Sequence, residues 1–123
     1  MCKNVTPQEA YNMIQRDKSI EILDVRTPQE YYNDGHIKGA KLIPINELQF
    51  RLRELNPAKK YLIYCRTGNR SAQVCRFLSQ LGFKHTYNQM GGIVQWVRYG
   101  LPVEGGMPYR RPPGFFTFNP FGL

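Results

Sequence analysis

The feature that most constrains the fold of this chain is the run Tyr61 to Ser71, where an apolar segment leads through a single cysteine into a short polar loop and then into a helical pattern. Tyr61-Leu-Ile-Tyr64 has the aromatic and branched character of a strand buried on both faces of a parallel sheet. Cys65 follows, and after it Arg-Thr-Gly-Asn-Arg-Ser carries one glycine and two cations. From Ser71 the apolar residues Ala72, Val74, Cys75, Phe77, Leu78 and Leu81 recur with the period of a helix that buries one face, and Gly82 stands where a helix C-cap belongs. A strand, a tight loop and a helix in this order imply an α/β layer fold with a mainly parallel sheet, and ligand sites in such sheets lie beyond the carboxyl ends of the strands.

Other segments fit that architecture. Thr6-Pro-Gln-Glu9 and Thr27-Pro-Gln-Glu30 each put a capping threonine before a proline at the first helical position, with a glutamate three residues after the cap. Helices are expected at Pro7 to Arg16, Pro28 to Asn33, Ile45 to Leu55, Ser71 to Leu81 and Ile93 to Tyr99. Strands are expected at Glu21 to Val25, Lys41 to Ile43, Tyr61 to Tyr64 and Thr86 to Asn88.

A thiol at a strand end that faces a helix N-terminus meets unpaired backbone N–H groups, which favour an anion. With Arg66 and Arg70 beside it, such a thiol is expected to titrate below its ordinary value of about 8.5, in the range of roughly 3.5 to 7.5. Cys65 is therefore the expected nucleophile. A cation at a helix start is unfavourable unless an anion sits there, so Arg70 points to a bound anion. Asp24, Arg26 and Glu30 read as structural charges, with Arg26 tied to Glu30 four residues on. His36 is not needed as a base, His85 is expected to be exposed, and Trp96 is expected to anchor the last helix.

These residues resemble a known family, the rhodanese sulfurtransferases, in their single-domain form. The resemblance rests on Ile22-Leu-Asp-Val-Arg26 with Thr-Pro-Gln-Glu30-Tyr-Tyr, on Gly35-His-Ile-Lys-Gly-Ala40, on the loop from Cys65 to Arg70, and on Gly91-Gly92-Ile-Val-Gln-Trp96 with Gly100-Leu-Pro-Val103. It implies a three-layer domain, a mainly parallel central sheet with helices on both faces, over residues 1–104. It also implies a two-step transfer in which the Cys65 thiolate takes a sulfane sulfur from a small anionic donor such as thiosulfate, becomes a persulfide, and passes the sulfur to cyanide or to a thiol or thiol-protein acceptor. Arg66, Thr67, Gly68, Asn69, Arg70 and Ser71 would bind the donor, the arginines by charge-assisted hydrogen bonds and Gly68 by permitting the tight curl of N–H groups. Neither metal nor organic cofactor is implied. A persulfide carrier serving protein partners is the alternative. Phosphatases and arsenate reductases on a similar fold resemble a Cys followed by five residues and then Arg, whereas four residues separate Cys65 from Arg70 here.

The formal charge of +8 suits an anionic substrate, and no basic run interleaved with aromatics marks a nucleic-acid face. No stretch approaches the roughly 18 apolar residues of a membrane helix. Cys2, Cys65 and Cys75 form neither a disulfide framework nor a metal-binding pattern, which points to a reducing compartment and a cytoplasmic setting, with Cys75 packing and Cys2 a free thiol. Residues 105–123 form a separate tail with four prolines and four phenylalanines. Phe115, Phe116, Phe118 and Phe121 are too apolar for an ordinary solvated tail and are expected to pack on the domain, a second copy or another protein.

Overall fold

The computed structural model describes residues 1–106. The chain runs β1 (Cys2–Val5), α1 (Pro7–Arg16), β2 (Glu21–Asp24), α2 (Pro28–Asn33), β3 (Lys41–Leu42), two 3-10 turns (Ile45–Phe50 and Leu52–Glu54), β4 (Lys60–Tyr64), α3 (Asn69–Gln80), β5 (His85–Gln89) and α4 (Gly92–Arg98). The five strands form one sheet in the order β1-β5-β4-β2-β3, and every pairing is parallel.

Alternation along the strands divides the core in two. Leu23, Tyr61 and Ile63 face one side and pack with Val74, Cys75 and Leu78 of α3 and Leu48 of the first 3-10 turn. Leu62 and Tyr64 face the other and pack with Ala10 of α1 and Ile93 and Trp96 of α4, with Tyr31 of α2 at the edge. Helices therefore cover both faces, as a parallel sheet requires. Trp96 is fully buried and donates its indole N–H to the Pro102 carbonyl at 2.8 Å.

Both threonine caps form. Thr6 Oγ1 accepts from the Glu9 N–H and Glu9 Oε1 accepts from the Thr6 N–H, and Thr27 and Glu30 repeat the exchange. At the other end of α3, Gly82 takes φ +97°, the Gly82 N–H bonds to Ser79 and the Phe83 N–H to Leu78, which closes the helix on a buried Leu78 and Phe83.

Four expectations need correction. The helix expected at Ile45 to Leu55 is two 3-10 turns broken at Arg51. Pro44 offers no side-chain cap, and the Arg51 guanidinium spans Glu47 and Glu54, so i to i+3 bonds close each short turn separately. Strand β1 was not expected; Lys3 and Asn4 are exposed and only Val5 is buried, so its place depends on the ladder to β5. Arg26 pairs with Asp24 and not with Glu30: Nη2 lies 2.8 Å from Asp24 Oδ2 and 2.7 Å from the Gly35 carbonyl, with both side chains fully buried. Arg26 precedes α2, so the i,i+4 geometry of a helix does not apply to it. Lastly, Cys2 and Cys75 form a disulfide between β1 and α3, so Cys2 is not a free thiol and the inference to a reducing compartment loses its premise.

His36 stacks on Tyr31 and faces Glu104, with which it forms an antiparallel backbone bridge. His85 is exposed at the start of β5. The expected tail of residues 105–123 lies, from residue 107 on, outside the described residues. Among the described residues no helix is long and apolar enough to cross a membrane.

Candidate functional site

The loop between β4 and α3 is held from below by the start of α4. The Ile93 N–H donates to the Cys65 carbonyl at 2.9 Å and the Val94 N–H to the Arg66 carbonyl at 3.2 Å. The first-turn N–H groups of α4 thus grip the loop backbone. This contact explains Gly92 in physical terms. Gly92 has φ +61°, and a Cβ there would stand 2.3 Å from the Arg66 carbonyl carbon and oxygen and 2.6 Å from the Cys65 carbonyl oxygen. Gly68 takes φ +104° immediately before α3 and curls the loop.

Inside the curl, the Cys65 sulfur accepts from the Gly68 N–H at 3.1 Å and lies 3.4 Å from the Ser71 hydroxyl. The residue is 1 % exposed. Burial pushes its thiol up, but hydrogen bonds from the Ser71 hydroxyl and the N–H groups of Ser71, Gly68 and Thr67 outweigh that effect and hold it below the ordinary thiol value. The lowering expected from the sequence has the right sign, with hydrogen bonds to the sulfur, those of the expected backbone N–H groups among them, ahead of the neighbouring arginines as its cause.

Arg66, Thr67 and Asn69 are exposed on the loop, while Gly68 and Arg70 are half-buried and Ser71 is buried. Arg70 does have an anion, as its place at a helix start requires, but that anion belongs to the chain. Its guanidinium meets the Glu30 carboxylate through two bonds of 2.8 and 2.9 Å. Glu30 already closes the capping box of α2, and the Arg70 hydrogen bonds, with those from Thr27, hold its carboxyl down to about 2 against burial. One carboxylate therefore ties α2 to the start of α3, leaving Arg66 as the exposed cation of the loop.

Two residues linked to the sulfur through Ser71 were missed from the sequence, Asn88 and behind it Asn4. Ser71 Oγ lies 2.6 Å from Asn88 Oδ1, and Asn88 Nδ2 donates to Asn4 Oδ1 at 3.0 Å. Register places Asn4 opposite Asn88 and Cys2 opposite Thr86, and the Cys75 bonded to Cys2 stands one helical turn after Ser71. Strand β5 reads His-Thr-Tyr-Asn-Gln, so one more polar residue at Asn88 gave no signal in the sequence. Among the described residues no group of His, Cys, Asp and Glu side chains could hold a metal ion.

Comparison with known proteins agrees with this geometry. The family model for the rhodanese-like domain matches residues 6–99. A sulfurtransferase of Allochromatium vinosum is 37% identical over 86 residues, 70% of this chain and 79% of that protein. YrkF of Bacillus subtilis, described by name as a candidate sulfur carrier protein, is 37% identical over 83 residues, 68% of this chain but only 44% of its own length. Among solved structures, a rhodanese-related protein from Thermoplasma volcanium superposes with a TM-score of 0.75 at 38% identity, covering 83% of this chain and 97% of that one.

Proposed function

This chain belongs to the rhodanese-like domain family, a family of sulfurtransferases and sulfur carriers, and from that membership we propose that it moves a sulfane sulfur from thiosulfate, or a similar anionic donor, to a thiophilic acceptor through a persulfide on Cys65. The observation that carries the reading is the cradle of donors around a thiol held below its ordinary value. The Cys65 thiolate attacks the outer sulfur of thiosulfate; the sulfur–sulfur bond of the donor breaks and sulfite leaves with the bonding pair. The new persulfide carries the negative charge on its outer sulfur, and the loop N–H groups stabilise that charge. Cyanide, or a thiolate, then attacks that outer sulfur and the Cys65 thiolate departs, closing the cycle with no net change at the enzyme.

On this reading Thr67, Gly68, Asn69 and Ser71 form the wall of the anion cradle, and Arg66 supplies exposed positive charge to the leaving sulfite. Arg70 shapes the loop through Glu30 and meets the donor from that fixed position. An opening that leaves 1 % of Cys65 exposed suits a terminal sulfur atom better than a tetrahedral phosphoryl group. The domain comprises residues 1–104. The test is thiocyanate formation from thiosulfate and cyanide: the native protein turns over, Cys65→Ser does not, and Arg66→Ala raises the thiosulfate KM more than it lowers kcat. Full turnover by Cys65→Ser overturns the mechanism.

The relationship to YrkF favours a second reading, in which the same persulfide is loaded by and delivered to protein partners. It is distinguished by loading of Cys65 from a persulfidated thiol at concentrations where thiosulfate fails.

A further inference from the structure

We propose that Asn88 is a positioning residue that holds the hydroxyl hydrogen of Ser71 while Cys65 is a neutral thiol and yields it to the sulfur when Cys65 is a thiolate. The proposal rests on Cys65 being the reacting sulfur. Its basis is a competition for one hydrogen. Ser71 Oγ has three acceptors within reach, Asn88 Oδ1 at 2.6 Å, the Gly68 carbonyl at 3.2 Å and Cys65 Sγ at 3.4 Å, and a hydroxyl donates one hydrogen.

The orientation of Asn88 is set from its far side. Its Nδ2 donates to Asn4 Oδ1 at 3.0 Å, so its carbonyl end faces Ser71 as an acceptor. Asn88 is 4 % exposed, so water does not replace that acceptor cheaply. Register with Asn4 on one side and Ile63 on the other places Asn88 in the α3-facing layer of the sheet, and the disulfide from Cys2 to Cys75 holds the same strand to the same helix one step away.

With a neutral thiol, the Cys65 S–H donates to Ser71 Oγ while the Ser71 hydrogen goes to Asn88, so each group is satisfied. When the thiol loses its proton to solvent, the anionic sulfur becomes the stronger acceptor and the hydroxyl turns to it in a charge-assisted bond. Asn88 thereby stabilises the thiol relative to the thiolate and moderates the activation that the loop supplies. The charged groups around Cys65 are Arg66 of the loop, Arg70 of α3 with Glu30 of α2, and the Asp24–Arg26 pair at the end of β2. The layer of β5 and β1 that faces α3 at this level contributes only Asn88 and Asn4, so the substitutions below leave those charges in place.

The test is the pH dependence of Cys65 alkylation by iodoacetamide, followed by intact mass under non-reducing conditions, in which Cys2 and Cys75 are protected. Asn88→Leu removes the competing acceptor and lowers the alkylation midpoint by about one pH unit, a tenfold change in the thiolate to thiol ratio. The near-isosteric Asn88→Asp raises the midpoint by the charge of its carboxylate as well as by competing for the hydroxyl, so where the leucine variant does not fold it decides the matter by the part of its shift that Ser71→Ala removes. Both shifts shrink in a Ser71→Ala background, since the effect passes through that hydroxyl. An unmoved midpoint, or shifts equal with and without the Ser71 hydroxyl, overturns the assignment. Thiocyanate formation on the same preparations separates the two readings. Midpoints that move as described without sulfur transfer refute the sulfurtransferase reading alone, and transfer with unmoved midpoints refutes the role of Asn88 alone.

Discussion

Replacing Gly92 by alanine strikes the contact that holds the Cys65 loop in shape, and its cost can be built from two parts. The first is conformational: at φ +61° an L-residue pays about 1–2 kcal/mol. The second is steric, because the added carbon stands 2.3 Å from the Arg66 carbonyl and 2.6 Å from the Cys65 carbonyl oxygen, distances real contacts do not reach. The listener on the other side is backbone, with no flexible side chain to swing away, so the loop or α4 must shift. That shift strains the bonds from Ile93 to Cys65 and from Val94 to Arg66, and overpacking of this kind costs about 1–3 kcal/mol. The total is about 2–5 kcal/mol, a large share of the roughly 5–15 kcal/mol that holds a domain of ordinary stability. Gly39→Ala is the control, since Gly39 has φ +84° with nothing within 4 Å of the added carbon and so carries the conformational part alone. Urea unfolding of the two variants with the disulfide intact gives the difference, and the Cys65 alkylation rate reports on the loop. Gly92→Ala should lose at least about 1 kcal/mol more than Gly39→Ala and should change the alkylation rate. Equal losses with unchanged alkylation would refute the claim that α4 braces the loop by close approach.

The remaining predictions concern the ties around the loop. Glu30 has a carboxyl depressed from 4.5 to about 2, so its contribution is fully present above about pH 4.5 and disappears as pH falls through about 2; Glu30→Gln should lower stability at neutral pH and flatten the acid limb of the stability curve across that window, and an acid limb identical to that of the native protein would contradict the pairing with Arg70. Reducing the Cys2–Cys75 disulfide, which closes a loop with a sequence separation of 73, should cost about 4 kcal/mol on chain-entropy grounds and lower the Tm in dithiothreitol; a Tm unmoved by reductant would mean that the bond contributes nothing to the fold. Thr27→Ala removes the oxygen that caps α2 and should cost about 1 kcal/mol in urea unfolding, with a loss below the error of the measurement counting against the capping box.

What could be read in the sequence was local. Thr6 with Glu9 and Thr27 with Glu30 announce their helices because cap, proline and glutamate act within four residues, and Tyr61 to Ser71 announces strand, loop and helix because the change of period falls at Cys65. What could not be read depends on partners distant in the chain. Strand β1 carries one buried residue, so its identity comes from pairing with β5, more than 80 positions away. Without β1 in place, neither the bond from Cys2 to Cys75 nor the contact from Asn4 to Asn88 is visible. Glu30 gives a local signal for its cap and none for Arg70, 40 residues on. The segment after Pro44 has the apolar spacing of a helix, with Ile45, Leu48, Leu52 and Leu55 along one side, but lacks the side-chain cap that would carry it past Arg51.

Everything proposed about function converges on one sulfur atom. Incubating the native, oxidised protein with thiosulfate and measuring intact mass and the modified peptide should show a single added sulfur, located on Cys65 and removed by cyanide. Protein that gains no sulfur from thiosulfate or from a persulfidated thiol, or gains it at a residue other than Cys65, would contradict the role assigned to this loop.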